Sequence, residues 1–212
     1  MTDQSVIIGG SVTPKRVDRS ARREEILAAA VRVFARKGFA ATRIDDVARE
    51  ADIGKGSVYL YFDSRDALLS AAFEAFAARS RTVLQRAREG TGPPLERLGS
   101  LVRSVLAALA EDPELAHILL DLWSSGRAQS QLPLDMPSVY SEYRTVIAEL
   151  LREAEAEGTV RQGVGQHHAT VIVGAVEGCL LQWLLEPRLP ITELAEPILE
   201  VCVEGLRRRK EA

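Results

Sequence analysis

Residues 42–62 read Thr42-Arg43-Ile44-Asp45-Asp46-Val47-Ala48-Arg49-Glu50-Ala51-Asp52-Ile53-Gly54-Lys55-Gly56-Ser57-Val58-Tyr59-Leu60-Tyr61-Phe62. Ile44, Val47, Ala48 and Ala51 recur at steps of three and four, which predicts a short helix. Thr42-Arg43-Ile44-Asp45 has the form of a capping box opening it, the Thr42 hydroxyl accepting from a free backbone N–H and Asp45 reaching back. Asp52-Ile53-Gly54 interrupts the pattern. It resumes over Lys55 to Phe62, where Val58 and Phe62 lie one turn apart and leave Tyr59, Leu60 and Tyr61 to point elsewhere. The reading is helix, tight turn, helix.

Outward from this unit every pattern is helical. Ile26, Leu27, Ala30, Val31 and Phe34 predict a helix from Arg22, stopped where Gly38 accepts a left-handed conformation. Ser64 is placed to cap a long helix to about Ala87, whose stripe of Leu68, Leu69, Ala72, Phe73 and Phe76 suits a joint between two packed bodies. Further helices are expected over Leu95 to Ala110, Pro113 to about Gly126, Pro137 to about Glu157 and Gln166 to Leu185. A final helix ends in Arg207-Arg208-Arg209-Lys210, cations that suit a C-terminus, and Pro197 should kink or split it. Residues 1–19 carry no apolar periodicity and are expected to be a mobile tail. Residues 20–66 then form the helix-turn-helix unit and 67–212 a larger helical body.

The chain has 212 residues, 46% hydrophobic and 27% charged, enough for a buried core. The apolar run Ala169 to Leu185 is broken by Glu177 and Gln182, so no membrane span is expected. Without the charged start and apolar centre of a signal peptide at the N-terminus, the expected address is cytoplasmic. Cys179 and Cys202 have no Cys-x-x-Cys spacing, so free thiols are expected rather than a disulfide framework or a zinc knuckle. The net charge of −3 hides a division: residues 14–65 carry +4 and residues 66–212 carry −6, with Asp3 the one charge before them. A basic module on an acidic body is a way to meet a polyanion locally.

Two short helices and a tight turn in such a module can place one helix in the DNA major groove. Lys55 and Ser57, at the start of the second helix, are within reach of base edges or phosphates, and Gly56 allows close backbone approach. Tyr59 and Tyr61 offer hydroxyls to phosphate oxygens, and Thr42, Arg43 and Arg65 sit at neighbouring helix starts. The same residues also suit ordinary roles as caps, core-edge tyrosines and solvated arginines.

Residues 22–69 carry a more specific signature. Thr42-Arg43-Ile44, Val47-Ala48, Ala51, Gly56-Ser57-Val58-Tyr59-Leu60-Tyr61-Phe62 and Ser64-Arg65-Asp66-Ala67-Leu68-Leu69 resemble the DNA-binding domain of the tetracycline-repressor (TetR) family. The resemblance implies an all-α protein with an N-terminal three-helix DNA-binding domain and a C-terminal helical domain for ligand binding and dimerisation. It implies a homodimer on a near-palindromic double-stranded operator, released by a small-molecule effector through the helix that Ser64 opens, with repression as the default sign. Carried over residue by residue, Thr42, Arg43 and Tyr61 become phosphate contacts, with Arg65 beside them, and Lys55, Gly56, Ser57 and Tyr59 the groove-facing group. Asp52 stands where the family commonly has glycine, and Gly54 where it usually has a capping Ser or Thr. Aspartate tolerates the left-handed conformation, and glycine is an acceptable cap.

In the body, Gly174 and Gly178 lie four apart on a very apolar helix and allow another helix to approach, either a second copy of the chain or a neighbour within it. Glu177 needs a partner there, either in a salt bridge or as the polar anchor of an effector pocket walled by Gln182, Trp183, Trp123, Tyr140 and Tyr143. The effector is then expected to be hydrophobic or amphipathic. Glu114 and His117 form a single Glu-x-x-His step and His167-His168 cannot chelate as an i, i+4 pair would, so no metal is expected. No phosphate loop, nucleophile elbow or dinucleotide fingerprint occurs, so neither catalysis nor a cofactor is expected. The alternative function is a helical small-molecule-binding protein without operator recognition.

Overall fold

The computed structural model describes residues 18–124 and 135–207, with side chains 123 and 124 excepted. The chain runs through α1 (Arg19–Lys37), α2 (Ile44–Glu50), α3 (Lys55–Tyr59), α4 (Arg65–Glu89) and α5 (Pro94–Glu111). It continues through α6 (Pro113–Ser124), α7 (Met136–Ala156), α8 (Gln166–Leu185) and α9 (Ala195–Val203). Among the described residues the extended structure is limited to one bridge between Val160 and Arg207. The sequence expectation of an all-helical chain holds.

Local chemistry sets the ends. α1 starts three residues before the periodic pattern does, because Asp18 accepts from the Ser20 and Ala21 N–H groups at 2.9 and 3.4 Å. Its first turn is solvated, and apolar periodicity does not register a solvated turn. Asp18 and Arg19 therefore belong to α1 and not to the tail, whose residues 1–17 lie outside the described residues. Gly38 ends α1 at φ 76°, its N–H donating to the Phe34 carbonyl at 2.9 Å. The capping box at α2 is corrected by one residue: Arg43 is the N-cap, and Asp46 rather than Asp45 accepts from its N–H, at 3.0 Å. Thr42 is turned inward, its hydroxyl donating to the Gly38 carbonyl at 2.8 Å. Asp52 takes the left-handed conformation at φ 53°, where the family commonly has glycine. Ser64 caps α4 by accepting from the Ala67 N–H.

The end of the chain also departs from expectation. The last pattern is split into a 3-10 turn (Ile191–Leu194) and α9, with Pro197 in the first turn of α9, where its missing N–H has no intrahelical partner to lose. α9 stops at Val203, and a 3-10 turn (Glu204–Leu206) carries the chain to Arg207, its C-cap. Arg207 pairs with Glu204, and residues 208–210 lie outside the described residues. Of the polar break between Gly126 and Pro137, residues 126–134 also lie outside the described residues, and α7 starts at Met136 behind Asp135.

Two cores result. The head core joins Ile26, Ala30, Phe34, Phe39, Val47, Val58 and Phe62 to Leu68, Leu69 and Phe73 of α4. The body core joins Leu84 and Ala87 at the far end of α4 to α5, α7, α8 and α9. α6 belongs to the head by packing, since Leu115, Ile118 and Leu122 lie in the head core. The cores change over between Phe73 and Leu84, inside α4, the helix whose stripe suits a joint between two packed bodies. By length and composition alone α8 is apolar enough to cross a membrane, its 18-residue window averaging 1.4 in hydropathy, a test that a helix packed among other helices also passes. It packs along α7 and against α9 and carries Val171 and Leu185 exposed to solvent.

Candidate nucleic-acid interface and apolar cavity

Val58 and Phe62, 0% and 4% exposed, anchor α3 to the head and turn its other face outward. Lys55, Gly56 and Tyr59 are exposed there, Ser57 is half-buried, and Arg43 is exposed at the start of α2. A Cβ built at Gly56 meets nothing within 4 Å, so the surface is open at that point. Tyr61 is half-buried against the head core. The structure therefore brings Arg43, Lys55, Gly56, Ser57 and Tyr59 to one end of the head. Leu60, absent from the sequence-based set, stands 72% exposed beside them. The signal was present, because Val58 and Phe62 complete the core stripe without it.

Thr42 and Arg65, expected as phosphate contacts, both have partners within the head. Thr42 is 2% exposed, with its hydroxyl committed to Gly38, so it braces the turn between α1 and α2. Arg65 donates from Nη1 to the carbonyls of Ala40 and Thr42, both at 3.0 Å, and its guanidinium lies over the Phe39 ring at 4.2 Å. That arrangement clamps the α1–α2 turn to the start of α4. Arg65→Ala is expected to lower head stability by about 1–3 kcal/mol, read by chemical denaturation. Arg65→Lys restores little of it, because an ammonium cannot stack while donating in plane.

Acids around the turn are tied down unequally. Asp46 meets Lys37 at 2.6 Å and Arg49 at 3.4 Å, and Glu50 meets Arg32 and Arg36, both at 2.9 Å. The hydrogen bonds from Lys37 to Asp46 and from Arg36 and Arg32 to Glu50 hold both carboxyls below the usual range. Asp45 pairs with Lys55 at 2.9 Å, which raises the Lys55 ammonium above its ordinary value.

Between head and body lies a cavity of about 460 Å³. Phe73 and Phe76 of α4, Leu101 and Val105 of α5, Leu115 and Leu119 of α6, Val139 and Ile147 of α7, and Val173 and Leu184 of α8 line it. Of the expected pocket residues Tyr140, Tyr143 and Glu177 line it, and the Tyr140 hydroxyl donates to Glu177 Oε1. Glu177 thus has a hydroxyl partner rather than a salt bridge. Burial first, and then that hydrogen bond, push the Tyr140 hydroxyl well above its ordinary pKa, so it remains a donor. Gln182 and Trp183 do not line the cavity: Gln182 Nε2 donates back to the Gly178 carbonyl at 3.2 Å, and Trp183 packs on the body core. At about 100° per residue they lie roughly 140° and 120° around α8 from Glu177, whereas Leu181 and Leu184 return to its face. The side chain of Trp123 lies outside the described residues. Gly174 and Gly178 border the cavity, and a Cβ at either meets nothing within 4 Å, so close packing inside one chain does not account for them. His117 Nδ1 lies 2.9 Å from the Pro113 carbonyl, an ordinary intrahelical contact.

Comparison with known proteins agrees with both halves of this arrangement. Residues 26–72 match the family described as bacterial regulatory proteins, tetR family, and residues 94–208 match the BetI-type transcriptional repressor C-terminal family. The fatty acid metabolism regulator protein of Bacillus subtilis (strain 168) is 22% identical over 188 residues, 87% of this chain and 95% of that protein. The solved fatty acid degradation regulator FadR of Bacillus halodurans is 26% identical, with a TM-score of 0.73 over 89% of this chain and 97% of that one. FadR of Bacillus subtilis, solved in complex with stearoyl-CoA, shares the fold at 22% identity, with a TM-score of 0.70 over 87% of this chain and 99% of that one. With a helix-turn-helix head and a helical body each matching its own part of one architecture, the chain belongs to the TetR family of transcriptional regulators.

Proposed function

We propose that the protein is a homodimeric repressor that binds a near-palindromic operator and is released by an effector with a long apolar chain. The observation that carries this reading is that the cavity and the DNA-facing head share walls. Phe73 and Leu115 belong to the head core and also line the cavity, so an occupant bears directly on the elements that hold α3. An occupant that fits one position of α4 and α6 better than another shifts the population of head orientations, and a difference of about 1–3 kcal/mol changes operator affinity roughly 5- to 150-fold. Arg43, Lys55, Ser57, Tyr59 and Tyr61 form the DNA-contacting set in this reading, with Gly56 allowing close approach. Dimerisation is assigned to α8 and α9, where Val171, Leu185 and Val201 are exposed and Gly174 and Gly178 leave open room.

The lining narrows the effector. Asp112 and Glu177 are its acidic groups, Asp112 paired with Arg79, and no Lys, Arg or His lines the cavity among the described residues. A free carboxylate inside would face Glu177 without a counter-ion, whereas the neutral carbonyl of an acyl thioester would not. The stearoyl-CoA held by FadR of Bacillus subtilis supports the same class.

The test is fluorescence anisotropy with duplex DNA from beside the gene, random duplex as control and salt varied. Specific, salt-sensitive binding is expected, with long-chain acyl-CoA releasing the DNA at concentrations roughly tenfold or more below the matching free fatty acid. Glu177→Gln narrows that gap. Binding of acyl-CoA by a protein that distinguishes no duplex from random DNA identifies the alternative, a ligand-binding protein without operator recognition.

A further inference from the structure

α2 carries three acidic side chains at the DNA-facing end of the head, and two are neutralised from α1. Asp46 is held by Lys37 and by the Arg43 N–H, and Glu50 is forked between Arg32 and Arg36. Asp45 is different. Its hydrogen-bond partner is Lys55 Nζ, at 2.9 Å, on the first residue of α3, and the two side chains are half exposed at 50% and 52%. An exposed pair of this kind contributes about 0–1 kcal/mol to stability, so the fold does not require it and little is lost in re-aiming it. A carboxylate at this surface is repelled by phosphates, and it has one favourable use on DNA: accepting from an exocyclic amino group of a base.

We propose that Asp45 and Lys55 act as one reading unit for a G·C base pair, Lys55 donating to guanine O6 and N7 while Asp45 accepts from N4 of the paired cytosine. This rests on the operator-binding reading above and adds Asp45 as a specificity-determining residue. The spacing fits. Guanine O6 and cytosine N4 are hydrogen-bonded to each other and so lie about 2.9 Å apart. That is the separation of Lys55 Nζ and Asp45 Oδ2, so an ammonium and a carboxylate side by side meet an acceptor and a donor side by side. Guanine adds N7 as a second acceptor for the lysine, whereas an A·T pair offers single acceptors, one flanked by an amino group and the other by the thymine methyl. Reversing the base pair exchanges donor and acceptor, so the unit also senses which strand carries the guanine.

The experiment is selection from a randomised duplex library by the full-length protein, Asp45→Ala and Lys55→Met. Affinities for the four base pairs at each selected position follow. Both side chains are half exposed, so the variants should keep the wild-type melting temperature. The expected result is a near-palindrome with G·C in one orientation at one position of each half-site. Both variants lower discrimination at that position on the order of tenfold and leave the other positions unchanged. Asp45→Ala raising or lowering affinity equally for all duplexes, or relaxing a different position from Lys55→Met, overturns the proposal while the operator-binding reading stands. Wild-type protein that selects no sequence overturns both.

Discussion

Phe73→Ala is expected to destabilise the protein by about 3–5 kcal/mol, the largest single effect of any substitution considered. Phe73 is fully buried in the head core, and its ring also forms part of the cavity wall. Truncation removes the transfer free energy of the ring and leaves a void joined to a cavity that already exists, so the surroundings cannot collapse to fill it. The position adds a second signature. A long-chain ligand occupying the enlarged cavity replaces part of the lost contact, so the stabilisation it produces should be larger in Phe73→Ala than in wild type. Chemical denaturation with and without acyl-CoA checks both. An equal ligand shift in the two proteins means that the ligand does not reach the head.

The second large effect concerns assembly rather than folding. Val171 and Leu185 of α8 are 64% and 75% exposed, so the double substitution Val171→Glu and Leu185→Glu should leave the fold of one chain intact. In an α8–α9 seam between two copies each glutamate is buried without a partner. Sedimentation velocity at micromolar protein should show a monomer in place of a dimer. Operator affinity should fall on the order of 100-fold or more, because two linked heads gain that much over one. A variant that remains dimeric with wild-type affinity places the seam elsewhere.

The helices and the turn were readable because their causes are local. Ser64 caps α4 wherever the helix packs, Gly38 supplies the positive φ that ends α1, and the steps of three and four in Ile44, Val47, Ala48 and Ala51 hold in any context. α8 was placed over Gln166–Leu185 as observed, its apolar run ending before Pro187. What misled was chemistry with two local solutions. Thr42 can cap α2 or brace the preceding turn, and the buried position behind Gly38 favours the brace. Arg65 can reach solvent or the carbonyls of Ala40 and Thr42, and the Phe39 ring beneath it decides.

The element order, the helix-turn-helix and the outward turn of Tyr59 and Leu60 follow from capping, backbone freedom and apolar spacing within a few residues, whereas Tyr61, expected to point away from the core, packs half-buried against it. Tertiary structure alone decided that α6 packs with the head, that Tyr140 meets Glu177 while Gln182 and Trp183 turn away, and that Asp45 faces Lys55 rather than α1. These pairings span separations from 10 residues for Asp45–Lys55, through 37 for Tyr140–Glu177, to 82 for the Phe39–Asp121 hydrogen bond between the head and α6. They depend on how each helix is rotated about its axis once all its neighbours are packed, and no local pattern encodes that rotation.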